Sequence, residues 1–210
     1  MSLTVKPETR RRGAPHQKRS QQTVDLILAT AADLLEESGF ENLSTNAICR
    51  RAGLTPPALY RYFPNKYAVL KELGEQLMAQ QNHVVIRLDW SLSDLDTLQQ
   101  QMADLLARTI DVTRQTPAGV WILRALHATP ALSDVRLNSH RDIADLLTRQ
   151  VLREWPDIDP MKARQSLRLG VELGYAMIEM VFDEPGLDEG DLIETTAELL
   201  TQNLRRLIEV

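Results

Sequence analysis

Only one cysteine, Cys49, stands among the 210 residues, so the chain can form neither an internal disulfide nor a cysteine-based metal cluster. Aromatic residues are scarce at 5%, while Leu and Ala are plentiful, a mixture that favours helix over sheet. Long apolar runs are missing as well. The longest nearly apolar stretch, Leu167 to Phe182, is interrupted by Arg168, Glu172 and Glu179 and is too short and too charged to span a bilayer. No apolar run follows the charged N-terminus, so neither a signal peptide nor a membrane partner is expected, and a cytoplasmic protein is. The histidines, His16, His83, His127 and His140, lack zinc-ligand spacing, and there is no glycine-rich phosphate loop or nucleophile elbow. The sequence therefore offers no catalytic residue, no metal ligand and no cofactor.

What the chain does have is an uneven distribution of charge. The overall balance of −5 speaks against a polyanion partner, but residues 1–70 hold ten of the 24 basic and six of the 29 acidic residues, a net of +4. The remainder holds 14 and 23, a net of −9. A basic front end on an acidic body confines any nucleic-acid contact to the front, because the local field governs the encounter.

Residues 1–19 combine Lys6, Arg10, Arg11, Arg12, Lys18 and Arg19 with Pro7, Gly13 and Pro15, without apolar periodicity. They read as a flexible basic arm, either following a minor groove or simply solvated. From Val24, apolar residues recur at helical steps through Leu35, and Gly39 stands at the expected C-terminal cap. Asn65 reads as the N-cap of a helix with Val69, Leu70, Leu73 and Leu77 on one face. Beyond it, amphipathic stretches at Leu95–Gln115, Ala118–Ala128, Ser133–Glu154, Pro160–Phe182 and Gly190–Ile208 are separated by Pro117, Pro130, Pro156 and the Pro185-Gly186 pair. No segment alternates as a strand does. The expected fold is all-α with about nine helices, divided into an arm (1–19), a helix-turn-helix domain (20–66) and a helical body (67–210).

The most informative stretch runs from Leu43 to Lys66. Ser44 or Thr45 can cap a helix reaching about Arg51, with Ala47, Ile48 and Ala52 on its inner side. Gly53 supplies a sharp turn, and Leu54 plugs it from behind. Thr55 caps a second helix whose first turn holds Pro56 and Pro57, where missing N–H groups cost nothing. Leu59 and Phe63 fasten that helix to the core, leaving Ala58, Tyr60, Arg61 and Tyr62 directed mostly outward. Small residues at the start of the second helix let its backbone approach base edges in a major groove. Tyr60, Tyr62 and Tyr67 cluster beside it. For Tyr60 and Tyr62 contact with phosphate is favoured over burial, and Lys66 at a helix start favours an anion.

The pattern Thr45-x-x-Ile48, Ala52-Gly53-Leu54-Thr55, Leu59-Tyr60-x-Tyr62-Phe63-x-Asn65-Lys66 resembles the DNA-binding signature of the TetR family of bacterial regulators over about residues 22–70. Cys49 stands where Ala is commoner, and Tyr67 where an acidic residue is usual. The resemblance implies that Thr45, Thr55, Tyr60, Tyr62 and Lys66 contact phosphates of double-stranded DNA. Asn46, Pro56, Pro57, Ala58 and Arg61 would then lie near base edges, Asn46 suiting adenine and Arg61 either guanine or a phosphate.

In the body, Leu167–Phe182 and the following helix resemble the pair through which such regulators form homodimers. Gly170, Gly174, Leu192, Leu199 and Leu200 are the candidate dimer contacts, and a twofold dimer demands an inverted-repeat operator. Arg168, Glu172, Tyr175 and Glu179 form a polar stripe that faces either a ligand or the dimer. The resemblance also implies a small-molecule effector and release of a repressor by it. Candidate pocket residues are Met102, Leu105, Leu106, Trp121, Arg124, His127, Tyr175 and Met177, with Trp121 as core and Arg124 as surface the alternative. The rival classes are an enzyme and a helical ligand-binding protein that keeps a vestigial DNA-binding head.

Overall fold

The computed structural model describes residues 18–87 and 94–209. The expected basic arm lies outside them except for Lys18 and Arg19, which open the first helix. Among the described residues there are nine helices and no strand: α1 (Lys18–Asn42), α2 (Thr45–Ala52), α3 (Pro56–Tyr60), α4 (Lys66–Ile86), α5 (Leu95–Gln115), α6 (Gly119–Ala128), α7 (Ser133–Glu154), α8 (Pro160–Asp183) and α9 (Glu189–Ile208).

The helices fall into two compact units, and the division departs from the boundary expected at residues 66 and 67. The first unit contains α1 to α3, α4 as far as Ala79, and Arg114–Arg136 with α6. Gln80–Thr113 and Leu137–Val210 make up the second. The reason lies in side-chain packing. Val69, Leu70 and Leu77 of α4 are almost wholly buried, as are Val24, Ile27, Ala31 and Leu35 of α1 and Leu59 and Phe63 beside α3. Helix α6 closes on this unit. A Cβ on Gly74 would sit 2.7 Å from Leu126 Cδ2, so the Leu126 side chain of α6 lies directly over residue 74 of α4.

Local sequence sets the helix ends. Gly39 breaks the regular path of α1 with φ 72°. Asn65 Oδ1 accepts from the Ala68 N–H at 3.0 Å, capping α4. Asp159 and Asp188 cap α8 and α9 through the N–H groups of Lys162 and Asp191. In the second unit, Leu98, Val151, Leu167 and Leu204 form a core cluster with Met102, Leu147 and Trp155 packed against it. Among the described residues no helix is long and apolar enough to cross a membrane.

At the start of α4 the Asn65 side-chain oxygen takes the Ala68 N–H. Replacing it tests that role. Asn65→Ala should lower the unfolding free energy by about 1 kcal/mol, with Asn65→Asp close to wild type. Urea denaturation measures both, and an unchanged midpoint for the Ala variant would remove the cap from the account.

Candidate nucleic-acid interface

Helices α2 and α3 are short, and each owes its position to a few contacts. Ser44 is the N-cap of α2, accepting from the Ala47 N–H at 3.1 Å, which leaves Thr45 in the first turn. Ile48 is fully buried and Asn46 exposed. At the far end Gly53 adopts φ 65°, ψ 29°, a left-handed turn, with its N–H on the Cys49 carbonyl. The same carbonyl accepts from Leu54 at 3.0 Å. Arg51 ties α2 to α1 through a two-pronged bond to Glu37, Nη1 to Oε1 at 3.0 Å and Nη2 to Oε2 at 2.5 Å. The Arg51 hydrogen bond holds the Glu37 carboxyl below its usual range, and Glu37 raises the guanidinium. Burial pushes the Cys49 thiol up, so it stays protonated.

Helix α3 begins at Pro56 with Pro57 in the same turn, both exposed. Thr55 holds the N-cap position by backbone alone: its carbonyl accepts from Ala58 at 3.0 Å, but its side chain makes no capping bond. Thr55 is thus the N-cap residue, as expected, with its hydroxyl outside the cap. Leu59 and Phe63 are 0% exposed, as expected of the two anchors. Tyr60 is 42% exposed, and its hydroxyl lies 3.2 Å from Thr45 Oγ1. Two hydroxyls, one from each helix of the motif, thus meet at one exposed point. Arg61 is also exposed and Ala58 half-buried.

Two expected phosphate contacts are placed differently. Tyr62 is only 7% exposed. The helix ends at Tyr60, and a tight turn, with the Tyr62 N–H on the Leu59 carbonyl at 2.9 Å, carries the next ring inward. Arg61 covers that ring, Cζ standing 5.7 Å from its centroid. Lys66 is half-buried and donates to the Phe40 carbonyl at 3.2 Å, with its ammonium 4.2 Å from the Phe40 ring. Its first role is to tie the start of α4 to the end of α1, a cation at a helix C-terminus.

Within the second unit, a cavity of about 720 Å³, counting its open mouth, is lined by Met102, Leu105, Leu106 and Tyr175 among the expected pocket residues. The other four expected residues are not in its lining. Trp121, Arg124 and His127 belong to α6 in the first unit, Arg124 lying 5.4 Å from the Trp121 ring and exposed, as is His127. Met177 is buried in packing on another side of α8. Sequence reading did not anticipate Val85, Thr109, Ile143, Val171 or Asn203 in the wall; aliphatic residues at helical spacing give the same signal for a core and for a cavity.

Three of the expected dimer contacts also turn inward. Gly170, Gly174 and Leu200 line the same cavity, with added Cβ atoms at 170 and 174 lying 3.4 Å from Leu200 and Leu106 of the chain itself. Leu192 is half-buried, and Leu199 is 57% exposed. The outward apolar row on α8 is instead Leu169, Leu173 and Met180. The polar stripe is internal to this unit. Arg168 pairs with Glu172, whose Oε1 lies 3.1 Å from His140 Nδ1. Burial works against the Glu172 charge, but His140 and Arg168 outweigh it and hold the carboxyl below its usual range.

A Gly-turned pair of short helices, buried on one side and presenting small residues and hydroxyls on the other, defines a helix-turn-helix DNA-binding head. Residues 27–73 match the family model of the bacterial regulatory proteins of the tetR family. A stretch of 64 residues is 41% identical to the class A tetracycline repressor protein from transposon 1721 of Escherichia coli, covering 30% of each chain. Over 116 residues the chain is 27% identical to the nucleoid occlusion factor SlmA of Mannheimia succiniciproducens, covering 54% of this chain and 52% of that one. The matched regions thus span about a third to about half of these relatives. The fold is that of a TetR-family transcriptional regulator from Streptomyces coelicolor, with a TM-score of 0.61 at 24% identity over 88% of this chain and 99% of that one. The head, residues 27–73, is thus similar to the DNA-binding domain of tetR-family regulators, and the fold of the whole chain is one such regulators adopt.

The left-handed turn at Gly53 is open to a simple test, because a Cβ there would meet nothing within 4 Å. Any cost of Gly53→Ala is therefore backbone strain, expected at about 1 kcal/mol, and Gly53→Asn should cost less. Equal stability of the two variants in chemical denaturation would show that the turn relaxes.

Proposed function

We propose that the chain is a homodimeric repressor that reads an inverted-repeat operator through α3 and is released when a small molecule occupies the body. The observation that carries the DNA reading is the exposed face made by Asn46, Pro56, Pro57, Tyr60 and Arg61 above the buried pair Leu59 and Phe63. With no bulky side chain in its first turn, α3 lets base edges come close, and Asn46 and Arg61 supply the groups that pair with adenine and guanine. Tyr60 with Thr45, and the free-standing hydroxyl side of Thr55, meet phosphates. Lys66 reaches a phosphate only with donors other than the one on Phe40, and Tyr62 serves as an inner support.

Support for the dimer comes from the uncovered row Leu169, Leu173 and Met180 on α8 and Leu199 on α9. Facing the same row in a second copy would bury it and present two reading heads. Support for release is the body cavity together with α4, which contributes Lys66–Ala79 to the head and Gln80–Ile86 to the body. A ligand that prefers one body conformation weakens DNA binding by its differential affinity, typically about 1–3 kcal/mol. The absence of catalytic spacing in the sequence favours such a binding role over turnover, and the place of action is the cytoplasm.

Selection from random duplex DNA should recover an inverted repeat; failure to enrich any sequence, after unfolding and refolding the protein to strip small molecules, would overturn the reading. On the selected duplex, Tyr60→Phe should weaken binding by about 1 kcal/mol without altering the preferred sequence. Wild-type affinity of the folded variant in fluorescence anisotropy would remove Tyr60 from the interface.

A further inference from the structure

We infer that the effector is an electrically neutral, mostly aliphatic molecule carrying one hydrogen-bond donor, and that Tyr175 and Thr109 receive that donor. This rests on the reading of the body as an effector domain and narrows it to a chemical class.

The wall of the cavity comes first. It is made chiefly of Leu, Ile, Val and Met side chains from α5, α7, α8 and α9, and none of the side chains described in it carries a charge. Arg168 and Glu172 on α8 pair with each other, and His140 of α7 lies on the same carboxylate. An ion entering such a wall would leave water without gaining a counter-charge, and that cost is large compared with any contact it makes. A neutral apolar molecule pays no such penalty and gains from burial.

Direction of hydrogen bonding then separates donors from acceptors. Thr113 gives its hydroxyl proton to the Thr109 carbonyl at 2.9 Å. It must therefore accept from Gln81 Nε2, 2.7 Å away, which fixes the Gln81 amide with its oxygen on the other side. That oxygen accepts from the Tyr175 hydroxyl at 3.2 Å. Burial pushes the Tyr175 phenol well above its ordinary range, so the proton stays on the oxygen. Thr109 gives its own hydroxyl proton to the Leu105 carbonyl at 2.8 Å. Both hydroxyls of the wall have thus committed their protons to the protein and keep only lone pairs for a ligand. Asn203, the remaining polar lining residue, accepts from the Ser166 hydroxyl and gives one of its two N–H groups to the Ser166 carbonyl. An alcohol fits this set. A carboxylate meets oxygen lone pairs at both hydroxyls and no cation among the described side chains of the wall, and an ether brings no proton to them.

The test uses decanol, decanoate, decylammonium and decyl methyl ether, titrated calorimetrically into the full-length protein at mildly alkaline pH, where both ions are charged. Decanol should bind saturably, each ion at least about tenfold more weakly, and the ether a few-fold more weakly than decanol. An ion binding as tightly as decanol, an ether matching it, or no binding of decanol would overturn the inference. Val171→Phe and Leu147→Phe fill the cavity from two helices. Each should reduce decanol affinity about tenfold or more while the helical circular dichroism is kept; wild-type decanol affinity in both folded variants would move the site elsewhere and overturn it. Decanol that binds as expected yet leaves operator affinity unchanged would instead contradict release by a ligand, leaving the chemical class intact.

Discussion

The head depends on the burial of Leu59 and Phe63. Helix α3 has five residues, far too few to persist by its own hydrogen bonds. Its conformation is imposed by two side chains, four positions apart and 0% exposed, that pin one side to the core. Once those are inside, geometry places Pro56, Pro57, Tyr60 and Arg61 outside. The left-handed turn at Gly53 and the Ser44 cap orient α2 so that Thr45 meets Tyr60. The face proposed to read DNA is therefore the other side of a packing constraint, held in register by the Arg51–Glu37 bond and by Lys66 on the Phe40 carbonyl.

A similar logic runs through the body. Its polar groups are tied in two networks, Arg168–Glu172–His140 and Tyr175–Gln81–Thr113, the second bridging α4, α5 and α8. His140 and Tyr175 connect them by stacking, their ring centroids 3.9 Å apart. Drawn together in these networks, the polar side chains leave a wall of hydrocarbon between the helices. Gln81 lies on the segment of α4 that belongs to the second unit.

The motif was legible because its chemistry is local. Gly at a left-handed turn, Pro in a first turn and Asn at a cap have meanings that hold whatever surrounds them, and helix limits such as Leu95–Gln115 and Ser133–Glu154 followed from periodicity and breakers. Tyr62 escaped the reading because helical periodicity was extended past Tyr60, where the helix stops. Gly170 and Gly174 permit close approach of any helix, and sequence has no way to say whether the neighbour is α9 and α5 of the same chain or a second copy. Trp121, Arg124 and His127 do share α6, but which unit α6 joins is decided by contacts with α1 and α4, remote in sequence.

The central claim is that two heads anchor on DNA phosphates, and the salt dependence of operator binding tests it most directly. For a selected inverted repeat, the logarithm of affinity should fall linearly and steeply with the logarithm of salt concentration. Deleting one half-site from the duplex should reduce that slope by about half. An affinity indifferent to salt, or a slope unchanged when half the site is gone, would contradict the account.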